Sequence, residues 1–439
     1  MAWLFQQRTF GPSKLTAESV QQFINTHTEY LNQALDTAIK EKSLDDISIQ
    51  RLKESNYVFS GIKTFHELNE AFPKLIDEDG NKIPFNQFLN NVQSINESYN
   101  KTYLKTEYEF AQSSAMMAAR WKEFEKDGDN YYLQYRTVGD KRVRKTHRML
   151  HNITLPFSSK FWDKYFPPNG WNCRCTVVQV RKDKYKMSDE TAAMNAGSQA
   201  TAGKHQEMFM FNPGKEMTTF PAYNAYTIKN CKTCPYRLGK MDLSRIDIPN
   251  NELCAACEII RSLRVKQQEK YKENKNLYEK YKDDPNYINV EFNEKTGGMT
   301  ATHKEHNFDN KKGWYETSVM EVGFQNGHSI IFEKEDHTVQ NKKNVEGLWD
   351  NQNFEIGAAE NFTKQNIRNA LKHCAKKPDC DIAVIFVPDE NNYDKNNLFQ
   401  GILCYEGLRN TKQWKLFNLI LFISKDRILY KYKQKNATH

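Results

Sequence analysis

Residues 167–177 read PPNGWNCRCTV, and no stretch of the chain constrains its fold more tightly. Pro167 and Pro168 remove two backbone donors and fix φ, while Asn169-Gly170 supplies a turn. Phe157, Phe161, Trp162, Tyr165, Phe166 and Trp171 crowd around them, and the run CTVVQV that follows predicts a strand docked beside this aromatic cluster. The stretch therefore predicts a rigid turn in an aromatic minicore. A rival reading makes Cys173 or Cys175 a nucleophile with His147 as its base, a pairing that only nearness in sequence suggests.

A chain of 439 residues exceeds one typical domain, and about two to four are expected. With 38% hydrophobic and 27% charged residues, cores can form beneath a very polar surface. The net charge of +8 permits contact with a polyanion without demanding one. The opening MAWLFQQRTFGPSK has no apolar core or small-residue cleavage site, so no secretory leader is expected. No apolar run reaches about 18 residues, so no membrane-spanning segment is expected either.

The texture changes along the chain. KLTAESVQQFINTHTEYLNQALDTAIKEK spaces Val20, Phe23, Ile24, Tyr30, Leu31, Leu35 and Ile39 at helical intervals. FNQFLNNVQ through AARW predicts one long amphipathic helix without proline. From Tyr131 the period shortens, and Gly139-Asp140 predicts the turn of a small hairpin. These features make residues 1–180 a first domain. Residues 181–225 mix Ala, Ser, Gly, Met and Lys without period and read as a partly ordered linker. Residues 226–260 carry cysteine pairs, and residues 261–288 predict a charged, solvated helical spacer stopped by Pro285. From 289 to 439, strand-like runs (HSIIFEKE, DIAVIFVP, LFNLILFIS, RILYKYK) surround the helical TKQNIRNALKHCAKK, which predicts a separate α/β or α+β domain.

Nine cysteines are an odd number, and four of them form two C-x-x-C pairs, Cys231/Cys234 and Cys254/Cys257, nineteen residues apart. Two such knuckles can present four thiolates tetrahedrally, the geometry of structural Zn²⁺. A segment of about 30 residues buries too little to fold alone, whereas structural zinc contributes on the order of 10–16 kcal/mol. Four protein ligands leave no open position, so this zinc is expected to be structural, not catalytic. A disulfide pair or four ordinary thiols are the alternatives. Cys173 and Cys175 could also serve as ligands, C-x-C being the poorer partner.

In the last third, His303, His306, His328 and His337, four of the chain's eleven histidines, lie within 35 residues. A helix through His303 and His306 would put both on one face, although the segment reads H-K-E-H and not H-E-x-x-H. Imidazoles near neutral pKa suit acid–base cleavage of RNA, one group deprotonating the 2′-hydroxyl and another protonating the leaving oxygen. Glu316 or Glu333 could orient an imidazole, Lys304 or Lys342 could offset phosphate charge, and Trp349 and Asn351 could stack or position a base. The plainer alternative is a polar surface stretch.

Two resemblances sharpen this reading. YRTVGDKRVRKTHRMLHNITLPFSSKFWDKYFPPNGWNCRCTVVQV resembles the signature of phage Mu F-like head-morphogenesis proteins, also called minor capsid proteins. The positions that carry it are Arg144, His147, Pro156, Phe161, Trp162, Pro167 through Cys173, Arg174 and Cys175, and with the preceding helices it covers about residues 15–180. The resemblance implies a few-copy virion component at the portal vertex that aids head assembly, DNA packaging or ejection. Residues from Thr296 to about Lys431 resemble the C-terminal toxin domains of contact-dependent inhibition proteins, the CdiA-type tRNA nuclease family. ATHKEHNF, Tyr315-Glu316, NGHSIIFEKE, NVEGLWDNQNFEI and NIRNALKHC carry that second likeness. It implies a barnase/EndoU/colicin/RelE-like, metal-independent ribonuclease acting on tRNA in the infected cell's cytoplasm, with an immunity protein as its partner. Toxin nucleases of similar layout read D…E-x-K where this chain has Asp350 and Glu355 but Gly357 in place of the lysine, which argues against a Mg²⁺ site. A non-catalytic module binding nucleic acid or capsid, or a free-standing toxin whose head-like half serves for delivery, remain rivals.

The expected architecture is multidomain α+β. A helical, portal-associated module with a small hairpin comes first, then a zinc knuckle and spacer, then an α/β nuclease-like domain. Candidate acid/base and charge-stabilising residues are His303, His306, Glu316, Glu333 and Lys304; candidate RNA contacts are Lys342, Trp349 and Asn351; candidate zinc ligands are Cys231, Cys234, Cys254 and Cys257.

Overall fold

Apolar residues at helical spacing build the first half as expected. In the computed structural model, which describes residues 1–40, 44–227, 248–309, 311, 313–334, 344–412 and 415–434, the chain divides into two units, Met1–Val265 and Lys266–His439. In the first unit, helix α1 (Glu18–Ile39) buries Val20, Ile24, Leu31 and Leu35 along one stripe. Helix α2 (Asp46–Ala71) begins at Asp45, whose carboxylate accepts the Ser48 N–H at 2.8 Å. Helices α3 (Phe85–Glu97) and α4 (Leu104–Asp127) are joined through a π-helical segment, Ser98–Tyr103, into the continuous helical run the sequence predicts. Between α2 and α4 the Lys63 ammonium meets the Glu107 carboxylate, with side chains only 1% and 4% exposed. Tyr226 Oη donates to the other Glu107 oxygen at 2.6 Å.

A tight hairpin turn at Gly139-Asp140 is not formed, although the strands on either side of that segment do pair antiparallel across a long connection. Strand β1 (Tyr132–Arg136) is followed after that turn by a short helix, α5 (Lys145–Arg148). Its partners arrive later: β2 (Thr154–Pro156) and β3 (Thr176–Val180) flank it in an antiparallel sheet of order β2-β1-β3. The turn is held from a distant part of the chain. Arg174 grips Asp140 with two guanidinium hydrogen bonds, at 2.7 and 2.9 Å, and so fastens the turn to the loop before β3.

The aromatic minicore forms. Phe161, Trp162 and Phe166, on and just after helix α6 (Phe161–Tyr165), are fully buried. Trp121 of α4 stacks on Phe157 at 4.5 Å and meets Phe166 edge-on at 5.0 Å. The Pro167–Pro168 bond is cis. Trp171 turns instead to Phe110 and Phe209.

Residues 181–225 are not a linker. Helix α7 (Glu190–Ala200) starts at an Asp189 cap, and Met208, Phe209, Phe211, Phe220 and Tyr223 are buried in the core. Gly214 lies so close to Trp121 that a Cβ there would sit 2.1 Å from the tryptophan Cβ. Aperiodic small and aromatic residues fill gaps between helices, which no periodicity reveals. The expected boundary at 260 also moves. One helix, α8 (Asn250–Tyr281), carries Cys254 and Cys257 and runs through most of the proposed spacer. It is not a solvated spacer, because Ile260 is buried against Gly61 and Tyr281 packs with Met299, Ala301 and Ile331. Cys231 and Cys234 lie outside the described residues.

The second unit is an eight-stranded mixed sheet of order β11-β10-β9-β8-β7-β6-β5-β4. Its strands are β4 (Tyr287–Phe292), β5 (Met299–His303), β6 (Ser329–Phe332), β7 (Gly347–Trp349), β8 (Gln352–Ala358), β9 (Ile382–Phe386), β10 (Leu419–Ile423) and β11 (Ile428–Tyr432). The pairs β5/β6, β8/β9 and β9/β10 are parallel. Each is bridged by a crossover helix: α9 (Gly313–Gln325), α10 (Lys364–Ala375) and α11 (Lys395–Lys412). Strand β9, the IAVIF of the sequence, is buried at every residue, as a parallel strand covered on both faces should be. This is the α/β layout the strand-like runs predict. Among the described residues no helix is long and apolar enough to cross a membrane.

Candidate functional site

Four carboxylate and imidazole side chains from separate elements converge in the second unit. His306 follows β5 in a turn, Glu316 lies in the first turn of α9, Glu346 immediately precedes β7, and Glu355 sits in β8. Backbone pairing sets two of them side by side, because the Glu346 N–H donates to the Phe354 carbonyl across the β7–β8 hairpin. His306 is packed between Phe308 and Phe332, with ring centroids 4.7 Å away on each side. Its Nδ1–H donates to the Glu333 carbonyl at 2.8 Å. That bond leaves Nε2 as the working nitrogen, 3.7 Å from Glu316 Oε2 and 4.0 Å from Glu346 Oε2. Ligand atoms of His306, Glu316 and Glu346 all lie within 4.8 Å of one another.

Electrostatics in this cluster are strained toward neutrality. Burial, with Glu355 and Glu316 nearby, raises the Glu346 carboxyl to about 7. Burial disfavours the charged form of His306, but Glu316, the Glu333 carbonyl and Glu346 outweigh it and raise its pKa. Glu355 is 2% exposed and accepts from His373 Nε2 at 3.0 Å, with the Lys377 ammonium 3.7 Å away. Among the described residues, His306 Nε2, Glu316 Oε2 and Glu355 Oε2 are buried without a hydrogen-bond partner. Glu346 and Lys377, each about a quarter exposed, form the solvent side of the cluster.

The sequence candidates are dispersed differently from expectation. His303 and His306 do not share a helix face: His303 ends β5, paired with Tyr287, and His306 N–H closes a turn onto its carbonyl. Pairing with β4 holds the segment extended, so helical spacing does not apply. The His303 imidazole accepts the Glu305 N–H and meets the Tyr287 ring edge-on. Glu333 orients His306 through its backbone, while its carboxylate accepts from Tyr287 Oη at 2.8 Å. Lys304 is exposed, and Lys342 and His337 lie outside the described residues. Trp349 is 1% exposed, in the core beneath the sheet, so it cannot stack on a base. Asn351, with Asp350, takes positive φ (63° and 49°), the backbone of a two-residue hairpin turn.

Asp350 does not join Glu355 as the D…E-x-K spacing suggests. It sits at that hairpin turn, 2.6 Å from His328 Nδ1 and 2.9 Å from the Lys270 ammonium. Burial, opposed by Asp350, lowers His328 to about 4. The missing lysine at Gly357 has a steric cause: a Cβ there would lie 2.8 Å from the Ala370 carbonyl oxygen, where β8 and α10 approach. Gly357→Lys is expected to destabilise the second unit by about 1–3 kcal/mol, read as a lower urea midpoint at unchanged m. Glu346, His373 and Lys377 were missed as a group. The legible signal was a glutamate inside an apolar strand, NFEIGA, since a charge at a core position asks for a partner.

Residues 80–178 of the first unit match the family described as Phage Mu protein F like protein. The "Putative capsid assembly protein F" of Escherichia phage Mu is 41% identical over 84 residues, 19% of this chain and 19% of its own length. The "Mu-like prophage FluMu F protein" of Haemophilus influenzae is 32% identical over 124 residues, 26% of this chain and 27% of its own. The matched parts thus span about a fifth to a quarter of these relatives. No solved structure matches.

Proposed function

We propose that this chain is a phage head-assembly protein whose second unit cleaves RNA. The match over residues 80–178 to a family that includes a capsid assembly protein supports the first half of the reading. On it, the first unit docks on portal and capsid proteins in the virion head, near the portal vertex, where phage DNA passes. Zinc at the two C-x-x-C pairs belongs to the same reading.

The single observation that carries the enzymatic half is the converging His306, Glu316 and Glu346 set beside Glu355, with the Glu346 carboxyl raised to about 7 and His306 raised by its carboxylate neighbours. Glu346, on the solvent side, would take the 2′-hydroxyl proton and Lys377 would offset phosphate charge, while His306, whose side chain is 2% exposed, would protonate the leaving oxygen only once substrate binding opens the cluster. The choice of tRNA as substrate, of the infected cell's cytoplasm as the place of action and of an immunity protein as partner rests on the toxin-like resemblance. A second reading is a divalent cation held by His306, Glu316 and Glu346, favoured by the unpartnered buried atoms.

Total tRNA incubated with the full chain, with and without EDTA, tests both. Cleavage that survives chelation supports acid–base catalysis, and cleavage that EDTA abolishes supports the cation. Binding without cleavage overturns the enzymatic half and leaves a nucleic-acid-binding module. Absence of the chain from purified virions would overturn the head-assembly half.

A further inference from the structure

A second convergence of chemistry lies in the first unit. His147 Nδ1 is 3.7 Å from Cys173 Sγ and 3.6 Å from Cys175 Sγ. The three residues are 2%, 5% and 6% exposed, and their ligand atoms lie within 4.8 Å of one another. The sequence dictates the placement. In Cys173-Arg174-Cys175 the exposure alternates, so Arg174 points outward onto Asp140 while both thiols turn inward. The same Asp140–Arg174 grip brings the turn carrying α5, and with it His147, over the thiols.

One lone pair cannot accept two good S–H hydrogen bonds, yet Nδ1 stands almost equally far from both sulfurs. Those separations are the edges of a tetrahedron. With Zn–S of about 2.3 Å and Zn–N of about 2.0 Å at a tetrahedral angle, the N···S edge is about 3.5 Å. Around the set, Tyr135 Oη donates to Asn169 Oδ1 at 2.8 Å, and the Arg144 guanidinium donates to the Trp171 carbonyl at 2.6 Å. These bonds hold the ligand loop in place before any cation binds, the usual task of residues around a metal site.

We propose that His147, Cys173 and Cys175 bind a thiophilic divalent cation of the zinc class, with a solvent molecule as the fourth ligand. Binding releases the two thiol protons to solvent. Two thiolates and a neutral imidazole then match the cation's two charges, so the buried site is neutral. The cation staples the α5 turn to the PPNGWNCRC loop.

The test uses the full chain with Cys231, Cys234, Cys254 and Cys257 all changed to serine, so that the C-x-x-C pairs contribute nothing. Elemental analysis should find one equivalent of zinc, and replacement by cobalt(II) should give thiolate-to-cobalt charge-transfer absorption. Adding C173S and C175S should abolish both. Zinc content and cobalt absorption that persist without Cys173 and Cys175 would overturn the proposal. So would a four-serine chain that binds no metal, or one whose intact mass and peptide map show a Cys173–Cys175 disulfide instead. Should the six-serine chain not fold, the metal count and cobalt spectrum of the four-serine chain decide alone.

Discussion

Lys63→Ala costs the first unit about 3–5 kcal/mol, read as a fall in the urea midpoint. The size follows from what is left behind. Glu107 is 4% exposed and, among the described residues, its carboxylate has the Tyr226 hydroxyl as its one further hydrogen-bond donor. Without the ammonium it becomes a buried charge held by one neutral donor, and a typical domain has only about 5–15 kcal/mol to lose. Replacing the whole set by apolar groups should be far milder: Lys63→Met with Glu107→Leu and Tyr226→Phe leaves neither an unpaired charge nor an orphaned hydroxyl. A triple variant as unstable as Lys63→Ala would show that packing, not the pair, sets the cost.

The same neighbourhood gives Lys63→Ala a pH signature. Burial first, then the like charge of Lys63, lowers His27 to about 4, while burial raises Glu67 to about 7. A buried neutral histidine loses stability for the fold as pH falls below its unfolded value of about 6.5, down to its folded one. A buried protonated glutamate loses it in the opposite direction, as pH rises from about 4.5 to about 7. Removing Lys63 relieves His27 and deprives Glu67 of a favourable neighbour. The variant's stability maximum should therefore move to lower pH, whereas a packing defect would lower the curve without moving it.

How much of this was legible in the sequence depends on whether the signal is local. The apolar stripe of α1, the proline-free run from Phe85 and the solid apolar IAVIF of β9 are one-dimensional patterns, and all three elements form where the patterns lie. The aromatic minicore is legible for the same reason: Pro167, Pro168 and six neighbouring aromatics leave the backbone few options. What failed depended on partners distant in sequence. Nothing near Gly139 announces that Arg174 will claim Asp140 or that β1 will meet β2 only after a long connection. Nothing in residues 181–225 marks their aromatics as fillers for gaps among helices. The site failed similarly. His303 and His306 look like a helical pair until β4 is known to hold the first in a strand, and Glu346 gains a role only once the β7–β8 register sets it beside Glu355.

His306→Ala and Glu346→Gln should each lower the rate of RNA cleavage by about 10²–10⁴-fold; Glu346→Gln should leave the unfolding midpoint of the second unit little changed, whereas His306→Ala, which empties the space between Phe308 and Phe332, should lower it as well. The acid must be protonated and the base ionised at the same time. Glu346, raised to about 7, has to lose its proton, so activity falls as pH drops below that value. His306, whose pKa is raised, has to keep its proton, so activity falls again on the alkaline side. The profile is a bell whose two limbs belong to the coupled pair. Each variant should erase one limb: Glu346→Gln flattens the acid side and His306→Ala the alkaline side. Loss of rate with both limbs intact would show that the two groups only shape the pocket. Lys377→Met separates the roles further, since a phosphate-facing cation changes the height of the bell and, by releasing Glu355 and Glu346 from its charge, moves the acid limb to higher pH. A cation site would answer differently: with a metal on Glu346 the carboxylate titrates lower, and the acid limb would shift with metal concentration instead of with Lys377.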